Sequence, residues 1–321
     1  MTQLLVYRER LLKFYQKYSA LLNAFFRFLL GFVIFSSINR LIGYHPYLNH
    51  IYIELLFGVF SMLLPAGVML FMALASVIGH IYYVSVLLAV VVGIIFAVLY
   101  FAYIKFVPDH AYIIVAFPVL FSFHVAYALP IYLGLIMNPV AFVPIFCGVG
   151  AYYLLQSVVA AVSQAADADV NLYRVVVSDF FNNTEMYAVL FVFFLVFLVV
   201  YIMRNREWNY PYEKAIISGA VINIILMLSV NFIFDLHMEV LPIFVGTLAS
   251  MLVIEVLQFM KLVLNYEGVE NLQFEDDEYV YYVKAVPKAV VAAPRKKIKR
   301  FSVRKSEKND VVKVSEKSEH E

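Results

Sequence analysis

Apolar stretches that are long enough to cross a bilayer recur along most of the chain, and short polar connections separate them. A membrane-spanning helix needs about 20 mainly apolar residues. Stretches of about this length lie at residues 22–44, 84–106, 186–203, 214–234 and 240–264. The pattern predicts an all-α polytopic membrane protein with a transmembrane helical domain at residues 21–265.

Two further apolar regions are interrupted by proline, which breaks or kinks helices. Residues 51–82 contain a Pro-Ala-Gly sequence at 65–67, and they form either a tight hairpin or one long proline-broken helix. Residues 111–158 are expected to form pieces too short to span singly, because they are divided by Pro118, Pro130, Pro139 and Pro144. Discontinuous helices of this kind often form the binding sites of transporters, but proline also kinks spans that only pack against neighbours.

Basic residues in short connections indicate the orientation, because they are more frequent on the cytoplasmic side. The N-terminus, the connection 204–214 and the C-terminal tail are basic and are predicted to be cytoplasmic. The acidic connections 164–185 and 235–239 are predicted to lie outside. Both termini then share one side, so the number of crossings must be even, and we expect about eight. Arg40, at the outer end of the first span, departs from the rule.

Residues 1–20 are too polar to span a membrane. Apolar and basic side chains alternate there at roughly helical spacing, as in Leu11, Leu12, Lys13 and Phe14. The pattern is typical of an amphipathic helix that lies on the membrane surface. A simple helical lead-in to the first span explains it equally well.

The composition excludes a soluble enzyme. Of the 321 residues, 64% are hydrophobic and only 15% are charged, and nearly half of the charged side chains lie after residue 265. The single cysteine excludes an intrachain disulfide framework and a thiolate metal cluster. HExxH, GxSxG and P-loop motifs are absent from the sequence, so we predict no enzymatic activity, no cofactor and no metal site. Any ATP-driven role would require a separate ATPase subunit.

Polar side chains inside predicted spans are candidates for function, because their burial in a bilayer is costly. The candidate intramembrane polar site consists of His124, Asn138, Asn223, Asn231 and Glu255. Small residues at Gly219 and Gly246 suggest that the last two spans pack closely. We therefore expect Asn223 or Asn231 to meet Glu255, either as structural glue or as an ion or proton relay. Glu54 and His80 lie nearer to the ends of their segments, and we expect them to reach the headgroup region.

The tail, residues 266–321, contains the most specific motif. An acidic block at 275–278 precedes a segment rich in β-forming residues at 279–286, which predicts a short strand. A lone strand either adds to a partner's sheet or lies at the membrane surface. The predicted partner-docking residues, in segment 274–288, are Phe274, Glu275, Asp276, Asp277, Glu278, Tyr279, Tyr281, Tyr282, Lys284 and Pro287.

A basic cluster follows this segment, and the end of the tail is expected to be disordered. A juxtamembrane cluster of this kind attracts anionic lipid. The residues predicted to contact anionic lipid are Arg295, Lys296, Lys297, Lys299 and Arg300. We predict no nucleic-acid partner, because the sequence has no recognisable RNA-binding fold or aromatic platform.

Three parts of the chain together resemble a known family: residues 4–15, residues 138–155 with their Asn-Pro-Val start, and above all residues 274–288. They are similar to clostridial (Firmicutes) multi-pass membrane proteins with a C-terminal FEDDEYxYYVKAVPK motif, often labelled ABC transporter permease. Val280 stands within what is more often an unbroken tyrosine run. The resemblance implies a bacterial cytoplasmic membrane protein and leaves the activity open.

We expect a membrane-embedded, permease-like subunit of a transport system whose tail docks a cytoplasmic partner, such as a separate ATPase subunit. The alternative is a non-transporting membrane scaffold for an envelope or secretion assembly. The alternative is favoured by the low glycine content, 12 residues in 321, since moving helices in transporters tend to need small residues for close approach.

Overall fold

A computed structural model describes residues 2–165, 171–261 and 270–288. The helices are α1 (Thr2–Lys17), α2 (Ser19–Ile42), α3 (Ile51–Leu63), α4 (Ala66–Val84), α5 (Val86–Leu99), α6 (Ala111–Ser122), α7 (Ala128–Ile136), α8 (Phe142–Ala165), α9 (Leu172–Phe181), α10 (Thr184–Arg204), α11 (Pro211–Phe234) and α12 (Val240–Lys261). A π-helical turn (Tyr100–Ile104) extends α5, and 3₁₀ turns at Pro108–His110 and Pro139–Ala141 precede α6 and α8. Two strands follow, β1 (Glu270–Glu275) and β2 (Val280–Ala285).

Seven helices of the described chain are long and apolar enough to cross a membrane, which confirms the polytopic helical class. They are Ser19–Ile42, Ala66–Val84, Val86–Ile104, Pro139–Gln164, Leu172–Arg204, Pro211–Phe234 and Val240–Lys261. Helices suit this environment because they satisfy their backbone hydrogen bonds internally, where no water is available.

The residues 51–82 form a tight hairpin, the first of the two predicted alternatives. Helix α3 runs back along α2, with the rings of Phe35 and Phe57 4.4 Å apart. Helix α4 then reverses again after the extended residues at 64–65, and its His80 lies beside Asn39 of α2. Helix α3 has only 13 residues, so it is short for a full span.

Helices α6 and α7 form a re-entrant pair. Helix α6 runs parallel to α8: Phe117 contacts Gly148, and one turn later in both helices Phe121 stacks on Tyr152. Helix α7 runs parallel to α10, with Tyr127 beside Phe193 and Gly134 against Val200. Because α8 and α10 run in opposite directions, the chain enters and leaves this pair on the same face of the bundle.

The directions of the helices define two faces of the bundle. We call the face where α10 ends and α11 begins the tail face, and the face where α11 ends and α12 begins the cavity face. Helices α2, α4, α5, α8, α10, α11 and α12 are long enough to pass from one face to the other, the shorter α3 runs antiparallel to α2, and the α6–α7 pair enters and leaves at the tail face. Seven described helices are thus long and apolar enough for a pass, and the expected total of about eight, which needs α3 as the eighth, stays a prediction.

The prediction that every piece of 111–158 is too short to span is wrong for α8. This helix has 24 residues, and Pro144 is its third residue. Proline is tolerated in the first turn of a helix, because N–H groups there have no intrahelical acceptor. Helix α8 therefore continues past Pro144 and packs between two apolar clusters, one with α2, α4 and α5 and one with α7, α10 and α11.

The predicted strand is not alone, which corrects the expectation that it must find a partner chain or the membrane. Strand β2 pairs antiparallel with β1, with Phe274 opposite Tyr281. The acidic block forms the turn: a carboxylate oxygen of Asp276 accepts hydrogen bonds from the backbone N–H groups of Glu278 at 3.0 Å and Tyr279 at 2.6 Å. The Lys284 ammonium donates to the side-chain oxygen of Asn209 at 3.1 Å, which ties the hairpin to the α10–α11 connection.

The hairpin turn is expected to loosen at acidic pH. The backbone N–H bonds from Glu278 and Tyr279, and then the Tyr281 hydroxyl, lower the pKa of Asp276 below its usual value. The stabilisation is therefore complete above the unfolded pKa and is lost as pH falls through the lowered, folded pKa. Asp276→Asn should make amide hydrogen exchange in the hairpin severalfold faster at neutral pH and remove this pH dependence.

The matched control is Asp277→Asn, because Asp277 lies in the same exposed turn and its carboxylate accepts no hydrogen bond from the described residues. Hydrogen exchange of the full-length protein in nanodiscs provides the measurement. Equal protection in the two variants at neutral pH, or no loss of protection in Asp277→Asn as the pH falls, would contradict this account of the turn.

Candidate functional site

A polar cavity of about 500 Å³ lies between the re-entrant pair, the middle of α8, the start of α10, the second half of α11 and the start of α12. It lies at the cavity face, because its wall includes Glu185 from the start of α10 and Glu239 from the α11–α12 connection. Its lining residues are Phe121, His124, Ala126, Tyr127, Tyr152, Tyr153, Glu185, Val189, Met227, Met238, Glu239, Pro242 and Ile243.

The tip of the re-entrant pair, residues 123–127, contributes to the inner end of this cavity. His124 has a left-handed backbone (φ 57°), which lets the chain reverse within the bundle. The tip rests on the middle of α12, where the carbonyl of His124 lies against Gly246 and the Ser250 hydroxyl donates to the Val125 carbonyl at 3.2 Å. Only a residue without a side chain leaves room for this approach of two backbones.

The charges on the cavity wall are predominantly negative. Glu185 and Glu239 are carboxylates, His124 is the one lining residue that can carry a positive charge, and lysine and arginine do not occur in the described lining. The Tyr153 hydroxyl donates to Glu185 at 3.0 Å and holds that carboxylate in place. Glu185 also lies in the first turn of α10, where the helix dipole favours a negative charge.

Aromatic rings form much of the remaining wall. Phe121 and Tyr152 stack with their centroids 4.2 Å apart, and Tyr153 meets Tyr152 edge to face at 5.2 Å. Tyr127 lies on the same cavity from the tip. Aromatic faces attract cations, and they do so most strongly where water is partly excluded. Together with two carboxylates, they make a surface suited to a small organic cation.

Two of the predicted polar residues, Asn223 and Asn231, do not line the cavity but hydrogen-bond to residues next to it or in its wall. Asn223 is fully buried and donates to the Thr247 hydroxyl at 2.8 Å, one residue after Gly246. Asn231 makes two 3.0 Å hydrogen bonds with the backbone of Met238 and so braces the α11–α12 turn. Met238 itself lines the cavity.

The expected meeting of Asn223 or Asn231 with Glu255 does not occur. Because α11 and α12 are antiparallel, Asn223 lies opposite Thr247, and Glu255 falls near Glu213 towards the tail face. Asn138 also lies at the tail face, in a separate pocket of about 350 Å³. Of the five predicted residues, only His124 lines the polar cavity.

The sequence interpretation missed the other functional groups of the cavity: Tyr127, Tyr152, Tyr153, Glu185 and Glu239. Each has an ordinary local explanation, since the two glutamates lie in predicted outside connections and tyrosine is common in membrane helices near the interface. Their meeting depends on the packing of helices that are distant in the sequence, and this has no local signal.

A second polar network lies in the other half of the bundle, where Glu54 and His80 were expected to reach the headgroup region. His80 is instead fully buried, and its Nε2 is 2.8 Å from the side-chain oxygen of Asn39. The Asn39 amide donates to Glu54 at 2.9 Å and to the Leu48 carbonyl at 3.1 Å. The backbone N–H of His45 donates to Nδ1 of His80 at 3.2 Å.

The N-terminal helix contacts the end of the last span. The Arg8 guanidinium donates to the carbonyls of Phe259 at 2.8 Å, Met260 at 3.3 Å and Lys261 at 3.4 Å. These carbonyls end α12, where an arginine satisfies unpaired acceptors and complements the helix dipole. Other side chains of α1 remain exposed, among them the apolar Leu4, Tyr7, Leu11 and Phe14.

The predicted docking residues of the tail are exposed on the hairpin, with Tyr282 at 81% of its maximal accessible area. Tyr281 also donates to Asp276 at 2.9 Å. The predicted anionic-lipid contacts, residues 295–300, lie outside the described residues. The described residues contain no group of three histidine, cysteine, aspartate or glutamate side chains that could hold a metal ion.

Comparisons with protein-family models, with curated proteins and with solved structures find no match to this chain.

Proposed function

We propose that the protein is a membrane-embedded, permease-like subunit of a transport system and that its polar cavity binds a small organic cation of the ammonium class. In this proposal the membrane is a bacterial cytoplasmic membrane, and the tail face, with both termini, is cytoplasmic. The exposed hairpin docks a cytoplasmic partner, such as a separate ATPase subunit.

The observation that supports this proposal is the re-entrant tip beside a polar cavity. Non-helical backbone at membrane depth is tolerated where it is buried in protein or lines a wet cavity, and it often marks the substrate site of a transporter. Residues 123–127 lie against the middle of α12, and they bring His124 and Tyr127 to the cavity. A bundle that served only as an anchor would have no need of such a broken pair.

The cation class follows from the chemistry of the wall. Glu185 and Glu239 favour a positive ligand, and the rings of Tyr127 and Tyr152, which line the same cavity, are of the type that attracts cations. A volume of about 500 Å³ is within the range of small-molecule sites. The ligand enters from the cavity face, where both carboxylates lie.

The test is a binding measurement on the full-length protein in nanodiscs, with tetramethylammonium and choline as cationic probes and acetate as an anionic control. We expect saturable binding of the cations only. Glu185→Gln should weaken this binding by roughly tenfold or more, the effect of losing one charged partner in a partly desolvated site. Flux of the bound probe into proteoliposomes then tests transport.

Asp235→Asn is the matched control. Asp235 carries the same charge at the same face, is highly exposed and does not line the cavity. The proposal fails if neither cation binds, or if Asp235→Asn weakens binding as much as Glu185→Gln. It also fails as a transport proposal if the probe binds but no flux depends on Glu185, with or without a co-purified ATPase subunit.

The second candidate function, a scaffold for an envelope or secretion assembly, is favoured by the exposed hairpin. Strands β1 and β2 pair only with each other among the described residues, so each retains an edge for strand addition. Full-length protein and a chain that ends at Glu270 are crosslinked in the native membrane, and their partners are identified by mass spectrometry. Envelope or secretion components that require the tail would favour the scaffold, and an ATPase subunit would favour the permease.

A further inference from the structure

A second polar crevice, of about 480 Å³, lies between α2 and α3 at the cavity face and is separate from the candidate substrate cavity. Two opposite charges line it: Arg40, near the end of α2, and Glu54, in the first turn of α3. The other lining residues are Phe32, Ser36, Asn39, Asn49 and Ile51.

The two charges of the crevice do not neutralise each other. Arg40 and Glu54 form no ion pair with each other. Among the described residues, Arg40 also has no hydrogen-bond partner. Its guanidinium is therefore free to present a fork of N–H donors, a geometry that matches phosphate. Glu54 accepts one hydrogen bond through Oε1, from Asn39 at 2.9 Å, and retains further acceptor positions.

Asn39 positions the carboxylate rather than contacting the ligand. It is buried, and its side chain is held by His80 at 2.8 Å and by the Leu48 carbonyl at 3.1 Å. This network runs into the protein interior, so the Glu54 carboxylate has a fixed place beside the crevice. The crevice therefore contains a carboxylate that is held by a buried hydrogen-bond network, and not only flexible surface charges.

A stripe of half-buried side chains leads from the crevice along α2, beside α3. Phe28, Phe32, Ser36 and Arg40 are spaced by four residues and so share one face of α2. The rings of Phe28 and Phe32 stack with centroids 6.5 Å apart. The charged end of the stripe suits a headgroup, and the aromatic part suits the start of an acyl chain.

We infer that this crevice binds a zwitterionic phospholipid headgroup, with its phosphate on Arg40 and its ammonium on Glu54. Phosphatidylethanolamine has this chemistry. The site also gives a physical reason for Arg40, whose position departs from the distribution of basic residues that we expected from the sequence. The inference is independent of the proposed transport function.

The test is native mass spectrometry of the full-length, delipidated protein titrated with phosphatidylethanolamine, with phosphatidylglycerol and with free phosphoethanolamine. We expect the wild type to retain phosphatidylethanolamine in preference to the other two. Arg40→Gln should weaken its retention by roughly tenfold, because a charge-assisted contact with phosphate is lost. Glu54→Gln should leave phosphate binding in place and abolish the preference for phosphatidylethanolamine over phosphatidylglycerol.

Arg206→Gln is the matched control, since Arg206 is exposed at the tail face and does not line the crevice. Thermal unfolding of each variant verifies that it is folded. The inference is overturned if Arg40→Gln retains phosphatidylethanolamine as well as the wild type and Arg206→Gln do. It is also overturned if the wild type retains phosphatidylethanolamine and phosphatidylglycerol equally. Binding of free phosphoethanolamine as strongly as of the lipid would also overturn it, because the stripe would then contribute nothing.

Discussion

Gly246→Ala is expected to lower the free energy of unfolding by about 1–3 kcal/mol, the usual effect of overpacking a close contact. A methyl group at this position meets the backbone carbonyl of His124 and the ring of Tyr127. The ring can turn, but the carbonyl moves only if the whole re-entrant tip moves. The substitution should also weaken binding of organic cations, because the tip forms part of the cavity wall. Thermal or detergent-induced unfolding gives the first effect, and the binding assay gives the second.

Gly150→Ala is the control for this prediction. Gly150 is also a helical glycine of the bundle, and a methyl group added there meets nothing within 4 Å. Alanine should therefore be neutral or slightly stabilising there, by less than about 1 kcal/mol. If the two variants unfold alike, the tip does not rest on α12 as described.

Asn39→Leu is expected to destabilise the other half of the bundle by about 3 kcal/mol or more, since each buried polar group left unpaired costs about 1–3 kcal/mol. The substitution removes three hydrogen bonds, to His80, Glu54 and the Leu48 carbonyl. His80 is fully buried, so water cannot replace its partner without a rearrangement. The same unfolding measurement applies.

Two further variants make the Asn39 prediction specific. Asn182→Leu removes an exposed asparagine that makes one side-chain bond, to Ser178, and it should change stability by less than about 1 kcal/mol. Asn39→Leu combined with His80→Phe should recover part of the loss, because replacing both partners leaves fewer unpaired groups. No recovery, together with equal effects of Asn39→Leu and Asn182→Leu, would show that the network does not stabilise the fold.

Several features of the fold were predictable because they depend on local properties of the chain. Hydropathy over about 20 residues predicts a span without knowledge of its neighbours. The amphipathic character of residues 1–20 is equally local, and the structure has a helix there. The wrong prediction for α8 is also a local matter: Pro144 was treated as an interruption, although its place in the first turn allows the helix to continue.

The pairing of strands and of polar side chains was less predictable. Phe274 was placed in the docking segment, but its strand partnership with Tyr281 required the acidic block to act as a turn. Asn223 was correctly singled out as a buried group, yet its partner is Thr247 and not Glu255. Thr247 and Glu255 lie about two helical turns apart on α12. Which of them faces Asn223 therefore depends on the register between α11 and α12, and the sequence of either helix alone does not give this register.

The sequence by itself determined the membrane-helical class and the approximate positions of the long spans, because the transfer of apolar segments into lipid depends on composition and length alone. Only the tertiary structure decided that residues 51–82 form a hairpin, that α6 and α7 re-enter, and that Glu185 and Glu239 share a cavity with His124. These features depend on where side chains from distant helices pack. Such contacts are selected by shape and by the pairing of buried polar groups, and the spacing of residues along one helix does not record them.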